Sequence, residues 1–318
     1  MQEIFKAAFI ATLVCLIGLP ILLPFLRKLK LGQNVRDDGP KAHLRKSGTP
    51  TMGGIIFFPS LIISVLITAG ANRQTLLFIL VALAFGSIGL VDDFIKVVRH
   101  RSLGLKAREK FLAQIIVAIL FVIAVVHIGG RGTDLYFPGT SWVWPLGWLY
   151  YPFAVFMVVG FNNAVNLTDG LDGLSAGVTL FAALAYTLIA KSWGLMTISI
   201  CAAALLGTCL GFLFFNIHPA RVFMGDTGSL TLGGAVFSLA MLTRTELLFV
   251  IIGGVYVLET LSVIIQVIYF RITGGKRFFK MSPLHHHFEL SGWSEQRVVI
   301  TFWALAALCA CLGVILVQ

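Results

Sequence analysis

Apolar residues gather into ten blocks along this chain, at 4–26, 53–70, 75–91, 111–128, 148–165, 173–190, 195–215, 229–243, 247–270 and 298–317. Most approach the ~20 residues that an α-helix needs to cross ~30 Å of hydrocarbon. Backbone N–H and C=O groups must pair within their own segment in lipid, and the alternation of a barrel strand is absent, so the blocks predict helices. The pattern predicts an all-α polytopic membrane protein of ten transmembrane helices. No linker or internal repeat divides residues 1–318, which read as a single domain. The first block lacks a strongly basic start and a small-residue cleavage site, so it reads as a retained span. Between the fourth and fifth blocks, residues 129–147 are Gly-rich and then carry Tyr136, Phe137, Trp142 and Trp144 with Pro138 and Pro145. Such aromatics favour the membrane interface, which predicts a short hairpin lying on the outer surface.

Composition agrees. Of 318 residues 58% are hydrophobic and 12% charged, against roughly 25% charged in soluble domains. Charge also orients the chain. Nineteen of the 24 lysines and arginines follow odd-numbered spans: seven in Arg27–Lys46, six in Lys96–Lys110, then Arg221, and five in Arg271–Arg297. Lys6, Arg73, Arg131, Lys191 and Arg244 fall on the other side. By the positive-inside rule the basic loops are cytoplasmic and both termini periplasmic or extracellular. Orientation beside anionic membrane lipids therefore accounts for the net charge of +10, and no nucleic-acid partner is implied. Cys15, Cys201, Cys209, Cys309 and Cys311 all lie in apolar blocks with no metal-site or disulfide spacing, and read as packing residues.

The cytoplasmic loops hold most of the remaining polarity: Asp92, Asp93, Asn163, Asn166, Asp169, Asp172, Asn216 and Asp226. Carboxylates at the mouth of a bilayer are costly to keep ionised without a cation, so the group reads as a metal-assisted active site facing the cytoplasm. Each motif has a second reading. Asp92 and Asp93 oppose the dipole at a helix C-terminus, yet Lys96 at i,i+4 from Asp92 offers a plain ion pair. Asp226, in Met-Gly-Asp-Thr-Gly-Ser, suits either a helix N-cap or a hard cation such as Mg²⁺, its glycines permitting close approach by a ligand. The three-residue spacing of Asn163, Asn166, Asp169 and Asp172 fits a polar helix connection or a wall for a nucleoside or sugar. Lys46 with Ser47-Gly-Thr-Pro-Thr-Met-Gly-Gly54 offers a cation and glycines suited to a diphosphate. His285, His286 and His287 fit phosphate binding, proton transfer or an ordinary loop, but not a zinc site.

Five strings in these loops resemble the polyprenyl-phosphate N-acetylhexosamine-1-phosphate transferases: the first loop through Gly-Thr-Pro-Thr-Met-Gly-Gly, Asp92-Asp93, Asn-Leu-Thr-Asp-Gly-Leu-Asp-Gly-Leu, Phe-Met-Gly-Asp-Thr-Gly-Ser, and Leu-His-His-His-Phe-Glu. The first and last are similar to the muramoyl-pentapeptide branch, and the likeness runs from Gln33 through Arg297. The resemblance implies an enzyme of the bacterial cytoplasmic (inner) membrane, usually a homodimer, that requires Mg²⁺. It implies transfer of phospho-MurNAc-pentapeptide from UDP-MurNAc-pentapeptide to undecaprenyl phosphate, giving lipid I and UMP in peptidoglycan biosynthesis. Carried over, Asp226 is the metal ligand, with Asp92 and Asp93 beside the metal and the lipid phosphate. His286 joins these aspartates as a catalytic candidate. Lys46, Gly170, Leu171, Asp172, Asn216 and Phe223 match the nucleoside region, and Asn166, Asp169, His285, His286 and His287 the diphosphate-sugar. Thr51, Lys96, Lys110 and Gln266 complete the substrate-binding candidates. Two rival functions are a sister transferase using UDP-N-acetylglucosamine, which would carry a different sugar-recognition loop, and a secondary transporter, whose polar groups would gather near the bilayer midplane.

Overall fold

The computed structural model describes residues 1–28, 48–98 and 104–317. Helix dominates: α1 (Gln2–Lys28), α2 (Phe57–Ala69), α3 (Arg73–Val98), α4 (Ala107–His127), α5 (Tyr150–Thr168), α6 (Leu174–Ser192), α7 (Met196–Asn216), α8 (Gly225–Leu242), α9 (Glu246–Ile252), α10 (Gly254–Ile272), α11 (Leu284–Glu289) and α12 (Glu295–Ile315). Eight of them, α1, α3 to α7, α10 and α12, are long and apolar enough to cross a membrane. The chain is a polytopic, all-helical membrane protein.

Burial separates the helices by role. α8 is buried continuously from Thr227 to Met241 and packs against α3, α5, α6 and α7. Its close neighbour α3 approaches until backbones touch: a methyl at Gly89 would lie 2.1 Å from the Asp226 carbonyl oxygen. Small residues at a helix crossing permit this, and in lipid such packing replaces the hydrophobic drive between helices. On the periphery, α1 exposes Phe5, Phe9, Leu13, Ile17, Ile21 and Phe25, a stripe four residues apart. Hydrocarbon is a good solvent for that stripe, whereas water would not be.

One expected span is not continuous. The block 247–270 breaks at Gly253 into α9 and α10, because the Gly253-Gly254 pair lets the chain turn between two helical segments. Apolarity ran unbroken through the break and so concealed it.

The hairpin between α4 and α5 is present: β1 (Asp134–Tyr136) pairs antiparallel with β2 (Val143–Pro145), Leu135 facing Trp144. Phe137 and Trp142 stack across its tip, centroids 4.4 Å apart. A buried ion pair holds its base. Arg131 donates from Nε and Nη2 to Glu246 at 2.8 and 2.7 Å, Tyr150 Oη donates to Glu246 at 2.7 Å, and the guanidinium lies 4.2 Å from the Tyr150 ring centre. Arg131 Nη1 also donates to the Asp134 carbonyl. This network joins the hairpin to α5 and α9 at the end of the bundle opposite the acidic loops. The cysteines form no disulfide; Cys15, Cys201 and Cys209 are buried among the helices.

Candidate active site

Antiparallel helices alternate in direction, so the C-termini of α3, α5 and α7 and the N-termini of α4, α6 and α8 meet at one end. Asp92 and Asp93 end α3, Lys110 begins α4, Asn166 ends α5 and Asp226 begins α8. The ligand oxygens of Asp92, Asp93 and Asp226 all lie within 4.8 Å of one another. Lys96 Nζ sits among them, 2.7 Å from Asp92, 2.9 Å from Asp226 and 3.7 Å from Asp93. Lys110 Nζ reaches the same Asp226 Oδ2 at 2.7 Å. The i,i+4 pair of Asp92 and Lys96 therefore exists, but as part of a five-residue charge cluster.

The three aspartates differ in work. Asp93 is spent on protein: its carboxylate accepts from the backbone N–H of Asp226 at 3.2 Å and from Thr227, N–H at 2.8 Å and hydroxyl at 2.7 Å. It thereby caps the N-terminus of α8 from a neighbouring helix, where a negative charge meets the positive end of the dipole. Gly225 serves that cap. Its φ is +70°, and a methyl there would lie 2.5 Å from Asp93 Oδ2. This glycine makes room for a carboxylate rather than for a ligand, contrary to the sequence reading. Asp92 accepts from the Leu105 N–H at 2.8 Å and from Lys96. Asp226 is the aspartate with open space beside it, its side chain 19% exposed against 4% for the other two. Asn166 Nδ2 donates to Asp226 Oδ1 at 3.0 Å and to Ser229 Oγ at 2.7 Å, fixing the remaining oxygen.

Burial alone would raise the Asp226 carboxyl. The hydrogen bond shared with Asp92 and the ammonium groups of Lys110 and Lys96 outweigh it and hold Asp226 well below the usual carboxylate range. Asp169, at the turn after α5, moves the other way: burial, then repulsion by Asp226, Asp93 and Asp172, pushes it well above that range.

The first-loop glycines are also engaged in packing. Gly53 and Gly54 donate their N–H groups to the Phe223 and Met224 carbonyls at 2.9 and 3.0 Å, and Phe223 N–H returns a bond to Pro50 at 2.9 Å. These amides are not available to a diphosphate. The segment instead docks beside the Phe223–Asp226 loop, bringing Thr51 next to Gly225. Lys46 lies outside the described residues.

A second polar group lies beyond Asp169. Asp172 Oδ2 is 3.0 Å from His218 Nδ1, which is 3.3 Å from Glu295, and Glu295 accepts the Asp172 N–H at 2.8 Å. Asn216 Oδ1 accepts the Gly173 N–H at 3.0 Å and its amide donates to the Val222 carbonyl at 2.9 Å. Asp172, Asn216 and the Gly170–Leu171 turn are thus brought together with the loop that carries Phe223. The histidines take different partners: His285 is buried against Gly170 with its ring centre 4.2 Å from that of His286, His286 bonds Glu289 at 2.9 Å, and His287 accepts the Lys280 N–H at 3.1 Å. Gln266 accepts the Phe278 and Phe279 N–H groups, so it and His287 brace the loop before α11, and Gln266 also lines a cavity of about 340 Å³ there. Sequence reasoning missed His218, Glu295 and Glu259. Glu259 did carry a signal, as an acid inside an apolar block.

Comparisons with known proteins agree with this geometry. The family model described as glycosyl transferase family 4 matches residues 75–244, and the phospho-N-acetylmuramoyl-pentapeptide-transferase signature 1 matches residues 46–58. Proteins named phospho-N-acetylmuramoyl-pentapeptide-transferase are similar throughout: 54% identical in Heliobacterium modesticaldum, over 99% of this chain and 98% of that one, and 54% in Desulfitobacterium hafniense, over 99% and 97%. The Bacillus subtilis relative is 50% identical over 98% and 97%. With the signature loop, the acid–lysine cluster and full-length similarity in agreement, this chain belongs to glycosyl transferase family 4, in its phospho-N-acetylmuramoyl-pentapeptide-transferase branch.

Proposed function

We propose that the chain transfers phospho-MurNAc-pentapeptide from UDP-MurNAc-pentapeptide to undecaprenyl phosphate, releasing UMP and leaving lipid I in the bacterial cytoplasmic membrane. The observation that carries this reading is the cluster of Asp92, Asp93, Asp226, Lys96 and Lys110 at one end of a membrane bundle. There a water-soluble donor and a lipid phosphate at headgroup depth can meet without either charge entering hydrocarbon.

A groove supports the lipid half. Between α4, α5 and α10 runs a cavity of about 750 Å³, lined by Phe111, Ile115, Ile119, Val155, Phe156 and Val159 and ending near Asn163. Phe111 adjoins Lys110, so a polyprenyl chain lying in the groove presents its phosphate to the Lys110–Asp226 pair. We count ten crossings, α2 and α8 with the eight long apolar helices, and the basic loops support a topology with both termini outside.

In the reaction an oxygen of the lipid phosphate attacks the phosphorus that carries the sugar. A P–O bond forms there as the bond to the bridging oxygen breaks, and UMP leaves with that oxygen. Lys96 and Lys110 offset the repulsion between the two anions, and Asn166 fixes the Asp226 carboxylate. Asp92, with one oxygen on the Leu105 amide and the other on Lys96, organises charge at the attacking phosphate rather than forming a bond to phosphorus. The carboxylate oxygens within 4.8 Å of one another are hard donors that fit Mg²⁺, which would be held by Asp226 with Asp92 beside it. When bound, that ion supplies positive charge between the phosphates. His286, braced by Glu289, would meet the sugar side of the donor.

The test is UMP release in detergent with Mg²⁺ and undecaprenyl phosphate, comparing UDP-MurNAc-pentapeptide with UDP-N-acetylglucosamine. Release with the first and not the second is expected. Equal release, or release with the second alone, would assign the chain to a sister activity.

A further inference from the structure

Glu259 and His285 form a buried pair that the transfer chemistry above does not use. Glu259 lies within α10, Gly254–Ile272, and is fully buried. His285, in α11, is fully buried as well, its Nδ1 3.2 Å from Glu259 Oε1. The contact is within ion-pair range but is not a hydrogen bond, and among the described residues both carboxylate oxygens and both ring nitrogens lack a hydrogen-bond partner. A buried acid on an apolar helix calls for a partner that offsets its desolvation, and His285 is a titratable group in reach.

The far edge of the imidazole carries the contact onward. A methyl group at Gly170 would lie 2.1 Å from His285 Nε2, so the ring rests directly on the Gly170 backbone. Gly170 sits between Asp169 and Asp172, and Asp172 is tied to His218, Glu295 and the Ala220 N–H. Three elements distant in sequence thus meet in series: a carboxylate on α10, an imidazole on α11 and the turn between α5 and α6.

We infer that Glu259 is a positioning residue, whose buried carboxylate holds the His285 imidazole against Gly170 and so sets the Asp169–Asp172 turn for the nucleotide of the donor. The inference rests on the proposed function for the identity of that donor. The acceptor groove borders α10 at Thr260, but Glu259 is fully buried and is not among the residues that line it. Glu259 therefore acts on one substrate only.

Two conservative variants separate reach from charge. Glu259→Asp keeps the charge but withdraws it by one methylene; Glu259→Gln keeps the reach and removes the charge. Steady-state UMP release is measured with each substrate varied in turn, beside the thermal melting curve of each purified variant. The Asp variant is expected to raise KM for UDP-MurNAc-pentapeptide about tenfold, with kcat and the acceptor KM changed less than about threefold. The Gln variant should stay within about threefold of wild type throughout. In the double variant with His285→Ala, the Asp substitution should add nothing to the effect of His285→Ala alone, since the two act through one contact. The inference is overturned if donor KM is unmoved in the Asp variant, if both substrates shift equally, if Gln is worse than Asp, or if the effects multiply in the double variant. Absence of turnover by wild type with this donor would instead remove the proposed function.

Discussion

Residues in the acid cluster are distinguished by what already occupies their oxygens. Asp93 holds three donors from the first turn of α8, so Thr227→Val should cost about 1 kcal/mol of stability by removing one of them. A melting curve in detergent reads this, and an unshifted curve would separate Asp93 from the cap. Asp92, engaged by Leu105, Lys96 and Asp226, should form no acyl phosphate. Incubation with donor and no lipid acceptor, followed by mass spectrometry, is expected to show no phosphorylated aspartate; a phosphorylated Asp92 would establish a two-step reaction. Asp169 gives the pH dependence. Its carboxyl is raised in the folded state by burial and by Asp226, Asp93 and Asp172. Between the ordinary carboxylate pKa and that raised value, the folded chain holds a proton that the unfolded chain releases, so stability falls as pH rises through the window. Asp169→Asn should remove this decline, leaving a flatter dependence of Tm on pH than wild type. Identical slopes would show that Asp169 is not strained in this way. The identities of these residues were legible in sequence because acids are rare in so apolar a chain. Their division of labour was not, since it depends on which backbone amides reach each oxygen.

Elements explain why the cluster forms at all. α3 and α8 touch at Gly89 and Asp226, and that contact sets the distance between the paired aspartates and Asp226. Gly89→Val should therefore lower Tm and activity together, an overpacking penalty of about 1–3 kcal/mol. Retained melting temperature and rate would mean that the helices can part without harm to the site. The glycines around this crossing and in the first loop were visible in sequence, but nothing local distinguishes a glycine that admits a ligand from one that admits a helix. Gly53 and Gly54 proved to serve loop packing. The break at Gly253 was hidden for a related reason, since hydropathy averages over a turn that only backbone geometry reveals.

At the scale of the whole molecule, the two ends of the bundle are built for different tasks. The Arg131–Glu246 pair, 2.7 Å long and buried on both sides, belongs to the hairpin end. Arg131→Met would leave Glu246 buried and unpaired, a loss of about 3–5 kcal/mol. The variant should melt early yet, while folded, turn over at the wild-type rate; altered KM values below the melting range would show that the ends are coupled. The opposite end carries the site, and alternation of helix direction made that legible. Asp92, Asp93, Asp169, Asp172 and Asp226 all follow odd-numbered apolar blocks, so simple counting put them on one face. What counting did not give is the distance between them, now under 5 Å for the three aspartates. The most direct test of this convergence is the Mg²⁺ dependence of UMP release by wild type and Asp226→Asn, each stripped with EDTA and titrated with the ion. Wild type should rise from near zero to saturation, while Asp226→Asn remains lower by about a hundredfold or more with an unchanged melting curve. Full activity of the wild type in EDTA, or recovery of the variant to the wild-type plateau, would contradict it.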